Sequence, residues 1–112
     1  MSGTVKLKSS ADFKFVFENG KYISNDFFVV YYVKNGFDCN RVGFSSSKKI
    51  GSKVKRNRAR RLLKEVYRLN ESRVKRGYDM VLIARDGIQG ADFARLQDTF
   101  VCTLKRCNLI ED

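Results

Sequence analysis

The chain has 112 residues with 43% hydrophobic and 12% aromatic content, enough for one modest core and too apolar for a disordered chain. Twenty-three Lys and Arg against 12 Asp and Glu give a net charge of +11, and its concentration in one segment points to a polyanionic partner. No histidine is present, so a ribonuclease site built on imidazole and any Ser-His-Asp or Cys-His nucleophile are excluded.

The N-terminal Met-Ser-Gly-Thr-Val-Lys-Leu-Lys carries no apolar stretch of signal-peptide type, and no run approaches the roughly 18 apolar residues of a membrane span. A cytoplasmic protein without a membrane partner is expected, in one domain over residues 1–112. Ser9 or Ser10 caps a first helix ending near Asn19, with Gly20 as its stop. Phe13, Val16 and Phe17 recur at i, i+3, i+4 and form its apolar face. Tyr22-Ile23 opens a short strand. Phe27 to Lys34 is rich in aromatic and β-branched residues and reads as a strand, Asn35-Gly36 as a turn, and Arg41 to Ser46 as the antiparallel partner.

After a polar connection over Ser45–Gly51, a helix runs from about Lys53 to Leu69, bends at Asn70-Glu71-Ser72 and resumes toward Arg76 before Gly77. Met80 to Ala84 is continuously apolar, as in a strand buried on both faces. Asp86-Gly87 and Gly90 mark a loop, and a last helix spans about Asp92 to Cys107. The order α-β-β-β-α-β-α predicts an α/β (α+β) two-layer sandwich on a four-stranded, mixed and mostly antiparallel sheet. Cys39, Cys102 and Cys107 are odd in number and lack a C-x-x-C pair, so plain thiols are expected rather than a disulfide framework or zinc site. The acids are scattered singly apart from Glu111-Asp112, and no spacing among them suggests a metal cage.

The charge is concentrated. Residues 48–68 hold ten Lys or Arg and one acid, Glu65, a net +9; the other 91 residues carry only +2. On a helix, Lys53, Arg56, Asn57, Arg60, Lys64 and Arg68 fall in one sector about 100–120° wide, opposite Ala59, Leu62, Leu63, Val66 and Leu69, with Arg58 at the rim. A solvated face usually mixes signs, since like charges at i, i+4 cost roughly 0.2–0.5 kcal/mol per pair. Nucleic acid is the best-fitting partner; a solvated face and an anionic membrane surface are the alternatives. Asn57 adds an amide that donates and accepts hydrogen bonds, suited to a base edge or 2′-hydroxyl.

The string from Ser45 to Arg68, with Lys48-Lys49-Ile50-Gly51 followed by Arg56-Asn57-Arg58, closely resembles the signature of the bacterial ribonuclease P protein subunit. Asp12-Phe13 through Gly20, Phe28–Tyr31, Arg41–Ser45 and Tyr78–Arg85 are similar to that family's first helix and strands; the last helix matches only in general pattern. The resemblance implies a ribosomal-protein-like fold with a left-handed βαβ crossover. It also implies a holoenzyme that removes the 5′ leader of precursor tRNA, whose catalytic RNA carries the active site and holds Mg2+. It implies no small-molecule substrate and no catalytic residue on the protein. By the same resemblance, Arg56, Asn57 and Arg58 meet the catalytic RNA, Arg60, Arg61, Lys64 and Arg68 extend that surface, Lys48 and Lys49 add phosphate contacts, and Phe13, Phe17 and Tyr31 line the leader cleft; Lys53, on the same basic sector, is counted with the RNA-binding residues. At position 59 stands Ala where many relatives have a larger residue. Read without the resemblance, a Phe pair at i, i+4 is more often core. A generic structural RNA-binding protein and an autonomous Mg2+-dependent nuclease are the rival functions.

Overall fold

The computed structural model describes residues 4–111. The outermost residues of the expected 1–112 domain, including Asp112 of the terminal acidic pair, lie outside the described residues. The elements are β1 (Thr4–Lys6), α1 (Ser10–Asn19), β2 (Lys21–Ser24), β3 (Phe28–Lys34), β4 (Asn40–Ser46), α2 (Lys53–Asn70), β5 (Tyr78–Ala84) and α3 (Phe93–Arg106), with short 3-10 turns at Lys48–Ile50, Glu71–Arg73 and Asp86–Ile88. Five strands form one sheet in the order β1-β4-β5-β3-β2.

Two details of the sheet differ from the sequence reading. The added strand, β1, is only three residues long and pairs in parallel with β4. Arg41 to Ser46 is not the hydrogen-bonded partner of β3: β5 lies between them, antiparallel to β3 and parallel to β4. The sheet is therefore evenly mixed, and β4-α2-β5 is a parallel crossover. The physical reason lies in β5 itself. Asp79 through Leu82 and Ala84 are all buried, so this strand needs cover on both faces and takes the centre.

Helices cover both faces. On one, α2 and α3 enclose the larger core, in which Phe44, Tyr67, Phe100 and Phe28 form a chain of ring contacts with centroids 6.0, 6.4 and 5.9 Å apart. On the other, α1 seats the fully buried Val16 against Leu7 and Val81, adding a partial third layer to the two expected. Of the predicted apolar face of α1, Val16 is core, Phe13 is half-buried and Phe17 is exposed.

The caps account for the helix limits. Ser9 accepts from the Asp12 amide at 3.0 Å, and Ser52 accepts from the Lys55 amide at 3.3 Å. At Gly20 the chain passes from α1 into β2 so tightly that a Cβ would lie 2.6 Å from the Val16 carbonyl and 2.8 Å from that of Tyr32. Helix does not resume toward Arg76. Val74 bridges Ile110, and the Lys75 amide donates to the Leu109 carbonyl at 2.8 Å, so the C-terminal segment claims that backbone and pulls it extended. The buried side of α2 is Ala59, Leu63, Val66, Tyr67 and Asn70, while Leu69 is 47% exposed, contrary to its expected place on the apolar side. No helix among the described residues is long and apolar enough to cross a membrane.

Candidate nucleic-acid interface

Two surfaces of different chemistry stand side by side. The first is α2. Lys53, Lys55 and Arg56 occupy its first turns with no acid among them, and Lys48 and Lys49 are exposed on the turn just before it. A helix N-terminus already carries about half a positive charge from its aligned peptides. Five cations gathered there repel one another and the helix end alike, and a bound polyanion offsets both terms.

Further along, the stripe is not uniform. Arg60 donates to the Asn57 side-chain oxygen and reaches the Ser46 hydroxyl at 3.4 Å, so Asn57 has its acceptor engaged. Lys64 and Arg61 are exposed. Arg68 forks onto Glu65 at 2.5 and 3.2 Å, and that pairing holds the Glu65 carboxyl below its ordinary range. Among the described residues, Arg68 is therefore the stripe cation that an acid partners. Arg58 is exposed at the seam between α2 and the 86–90 loop, beside Lys55, Ile88 and Gln89, the rim position the sequence assigns it.

The second surface lies between α1 and the sheet. Phe17 meets Tyr31 edge-on, with centroids 5.0 Å apart and planes at 82°; Tyr22 lies against the same Tyr31 at 5.3 Å. Phe17 is 41% exposed and Tyr22 66% exposed, so the three rings form an open aromatic platform rather than a packed core. Phe13 sits apart, over Gly43, where a Cβ would come within 2.4 Å of its Cζ. Its ring borders a groove of about 470 Å3 whose opposite wall is Arg60, Lys64 and Arg68 of α2. Phe13 thus marks the junction of the aromatic and basic surfaces, whereas Phe17 and Tyr31 form the platform itself.

Arg41 and Asp79 brace this face from within. Arg41 donates to Asp79 through Nε at 2.9 Å and Nη2 at 2.6 Å, Asn35 adds a bond of 2.9 Å, and Arg41 also approaches Asp12 of α1 at 3.7 Å. Burial alone would raise the Asp79 carboxyl, but the bonds from Arg41 and Asn35 and the Arg41 charge hold it below the ordinary carboxylate range. Among the described residues no group of three or more Asp, Glu or Cys is placed to hold a metal ion.

The family model described as Ribonuclease P matches residues 1–108. The ribonuclease P protein component of Caldanaerobacter subterraneus subsp. tengcongensis is 48% identical over 107 residues, covering 96% of this chain and 92% of the relative. The chain belongs to the ribonuclease P protein family. The ribonuclease P protein component of Clostridioides difficile is 43% identical over 95% of this chain and 94% of its own. Among solved structures, the RNase P protein of Staphylococcus aureus superposes with a TM-score of 0.82 at 30% identity, covering 95% of this chain and 97% of that one. That of Thermotoga maritima gives 0.81 at 32%, covering 90% and 96%.

Within this ribonuclease P protein, Tyr22 is the platform residue that sequence reasoning overlooked. Its signal was the strand pairing: Tyr22 stands opposite Tyr31 across β2 and β3, and alternation puts both on the α1 side. The Arg41–Asp79 brace carried no local signal, since 38 residues separate its members.

Proposed function

We propose that this ribonuclease P subunit binds the catalytic RNA of its holoenzyme through α2 and holds the single-stranded 5′ leader of precursor tRNA on the α1 platform, promoting endonucleolytic removal of the leader. The observation that carries this reading is the adjacency of the two surfaces across the Phe13 groove. Across that groove Arg60, Lys64 and Arg68 of α2, cations suited to a structured phosphate backbone, face Phe13 of α1; one turn further along α1, Phe17 joins Tyr31 and Tyr22 in an exposed set of rings suited to unstacked bases. In this reading Lys48, Lys49, Lys53, Arg56, Arg58, Arg60, Arg61 and Lys64 meet phosphates, Asn57 donates to a base edge or 2′-hydroxyl, and Arg68 contributes less because Glu65 holds it. Phe17, Tyr22 and Tyr31 pack against leader bases without reading them, and Phe13 receives the strand where it passes toward α2.

The chain offers no imidazole for acid–base work, so the proposal leaves hydrolysis, and the Mg2+ it uses, with the RNA and substrate. The protein's part is to raise affinity for substrate and to lower the repulsion between two RNAs brought together. Its three free thiols fit a reducing cytoplasm. The test is binding of precursor and mature tRNA in the presence of the catalytic RNA. A protein-dependent preference for the leader-bearing substrate is expected; equal stimulation of both would reduce the chain to a general RNA-binding protein.

A further inference from the structure

On the sheet face away from the aromatic platform, a groove of about 560 Å3 opens between the β2–β3 edge and the end of α3. Lys21, Lys34 and Arg106 line it, with no acid among the lining residues. All three are exposed, and none joins an ion pair among the described residues. The floor holds two half-buried rings, Tyr32 and Tyr78, whose centroids are 6.5 Å apart. The arrangement follows from register. Lys21 stands opposite Tyr32 across β2 and β3, and Lys34 stands opposite Tyr78 across β3 and β5, so each ring has an ammonium beside it. Asn108, held at φ 63°, closes the far end.

Unpaired cations around a concave aromatic floor match an unpaired nucleotide, with base against ring and phosphate against ammonium and guanidinium. The groove is also continuous with the platform. Lys21 and Tyr22 are consecutive in the edge strand β2 and face opposite sides, as Tyr31 and Tyr32 do in β3. At the end of α1, Phe17 belongs to the platform and Asn19 to the groove. A strand lying on Phe17, Tyr22 and Tyr31 therefore reaches the groove by crossing a single exposed edge.

We infer that this groove is a second single-strand site, which takes the part of a long 5′ leader lying beyond the platform. The inference rests on the platform being the leader site.

The experiment compares holoenzymes reconstituted with catalytic RNA, on precursor tRNAs whose leaders are either just long enough to fill the platform or clearly longer. The variant is Lys21→Glu with Lys34→Glu and Arg106→Glu, all at exposed positions. It is expected to bind the long-leader substrate about tenfold more weakly, with a shallower salt dependence, and to bind the short-leader substrate normally. Equal effects on both substrates, or none on either, would overturn the inference. Weakened assembly with the catalytic RNA in the absence of substrate would overturn it too, by assigning the groove to that RNA. Tyr31→Ala separates the two levels. If short-leader binding ignores Tyr31, the platform reading fails; if it depends on Tyr31 while the triple variant is silent, only the groove fails.

Discussion

Arg41 forks onto Asp79 with bonds of 2.9 and 2.6 Å, joining two parallel neighbouring strands beneath the helix that bounds the aromatic platform. The Asp79 side chain is 3% exposed and that of Arg41 is 29% exposed, so the carboxylate is buried while the guanidinium keeps one edge toward Asp12 and solvent. Its folded pKa lies below the unfolded value. Ionised Asp79 therefore stabilises the fold at neutral pH, and that contribution disappears as pH falls through and below the ordinary carboxylate range. Asp79→Asn is expected to cost about 2 kcal/mol at neutral pH and to flatten the acid limb of stability. Denaturant unfolding at a series of pH values measures both; an unchanged acid limb would contradict the brace.

Gly43 and Phe13 form a second dependency. A Cβ at position 43 would meet the Phe13 ring at 2.4 Å. Gly43→Ala is expected to cost about 1–3 kcal/mol by overpacking, and to cost far less when Phe13 is already Ala. A double-mutant cycle reads the coupling directly, and additive losses would show that the ring does not depend on the glycine.

On α2, the Arg68–Glu65 pair divides the basic stripe into cations with and without a partner. Arg56→Ala should weaken assembly with the catalytic RNA and lower the salt slope by about one. Arg68→Ala should do so to a smaller extent, and Glu65→Gln should tighten binding by releasing Arg68. Salt titrations of the three variants check the order. Equal losses at Arg56 and Arg68 with no gain at Glu65 would contradict it.

For the platform, Tyr22→Ala and Phe17→Ala remove rings that are already largely exposed, so folding should be spared. Each is expected to cost roughly 1–3 kcal/mol of affinity for a leader-bearing substrate and nothing for a leaderless one. A loss of thermal stability with equal loss on both substrates would place these rings in the core instead.

The helices and the basic face of α2 were legible in the sequence because their signals are local. The cap at Ser9, the stop at Gly20 and the 3.6-residue period all act within a few residues of where they are read. Strand pairing is a non-local choice. Asn35-Gly36 does turn the chain, with the Asn35 side chain bonded to the Phe37 amide and the Cys39 carbonyl. That turn alone suggests a hairpin, yet the doubly buried β5 inserts between the two strands. The apolar run from Met80 to Ala84 announced a central strand without naming its neighbours. β1 is three residues long with its partner far along the chain, too short to stand out by period. Glu65 was visible from the start, but its pairing with Arg68 depends on a rotamer rather than on spacing alone.

The most direct measurement is cleavage of a leader-bearing precursor tRNA by a bacterial ribonuclease P RNA at low Mg2+, with and without this protein. Strong stimulation by the protein, together with no cleavage by the protein alone, is the expected result. Tight binding to the RNA without stimulation would contradict the proposed role in leader removal, and cleavage by the protein alone would contradict the assignment of the chemistry to the RNA.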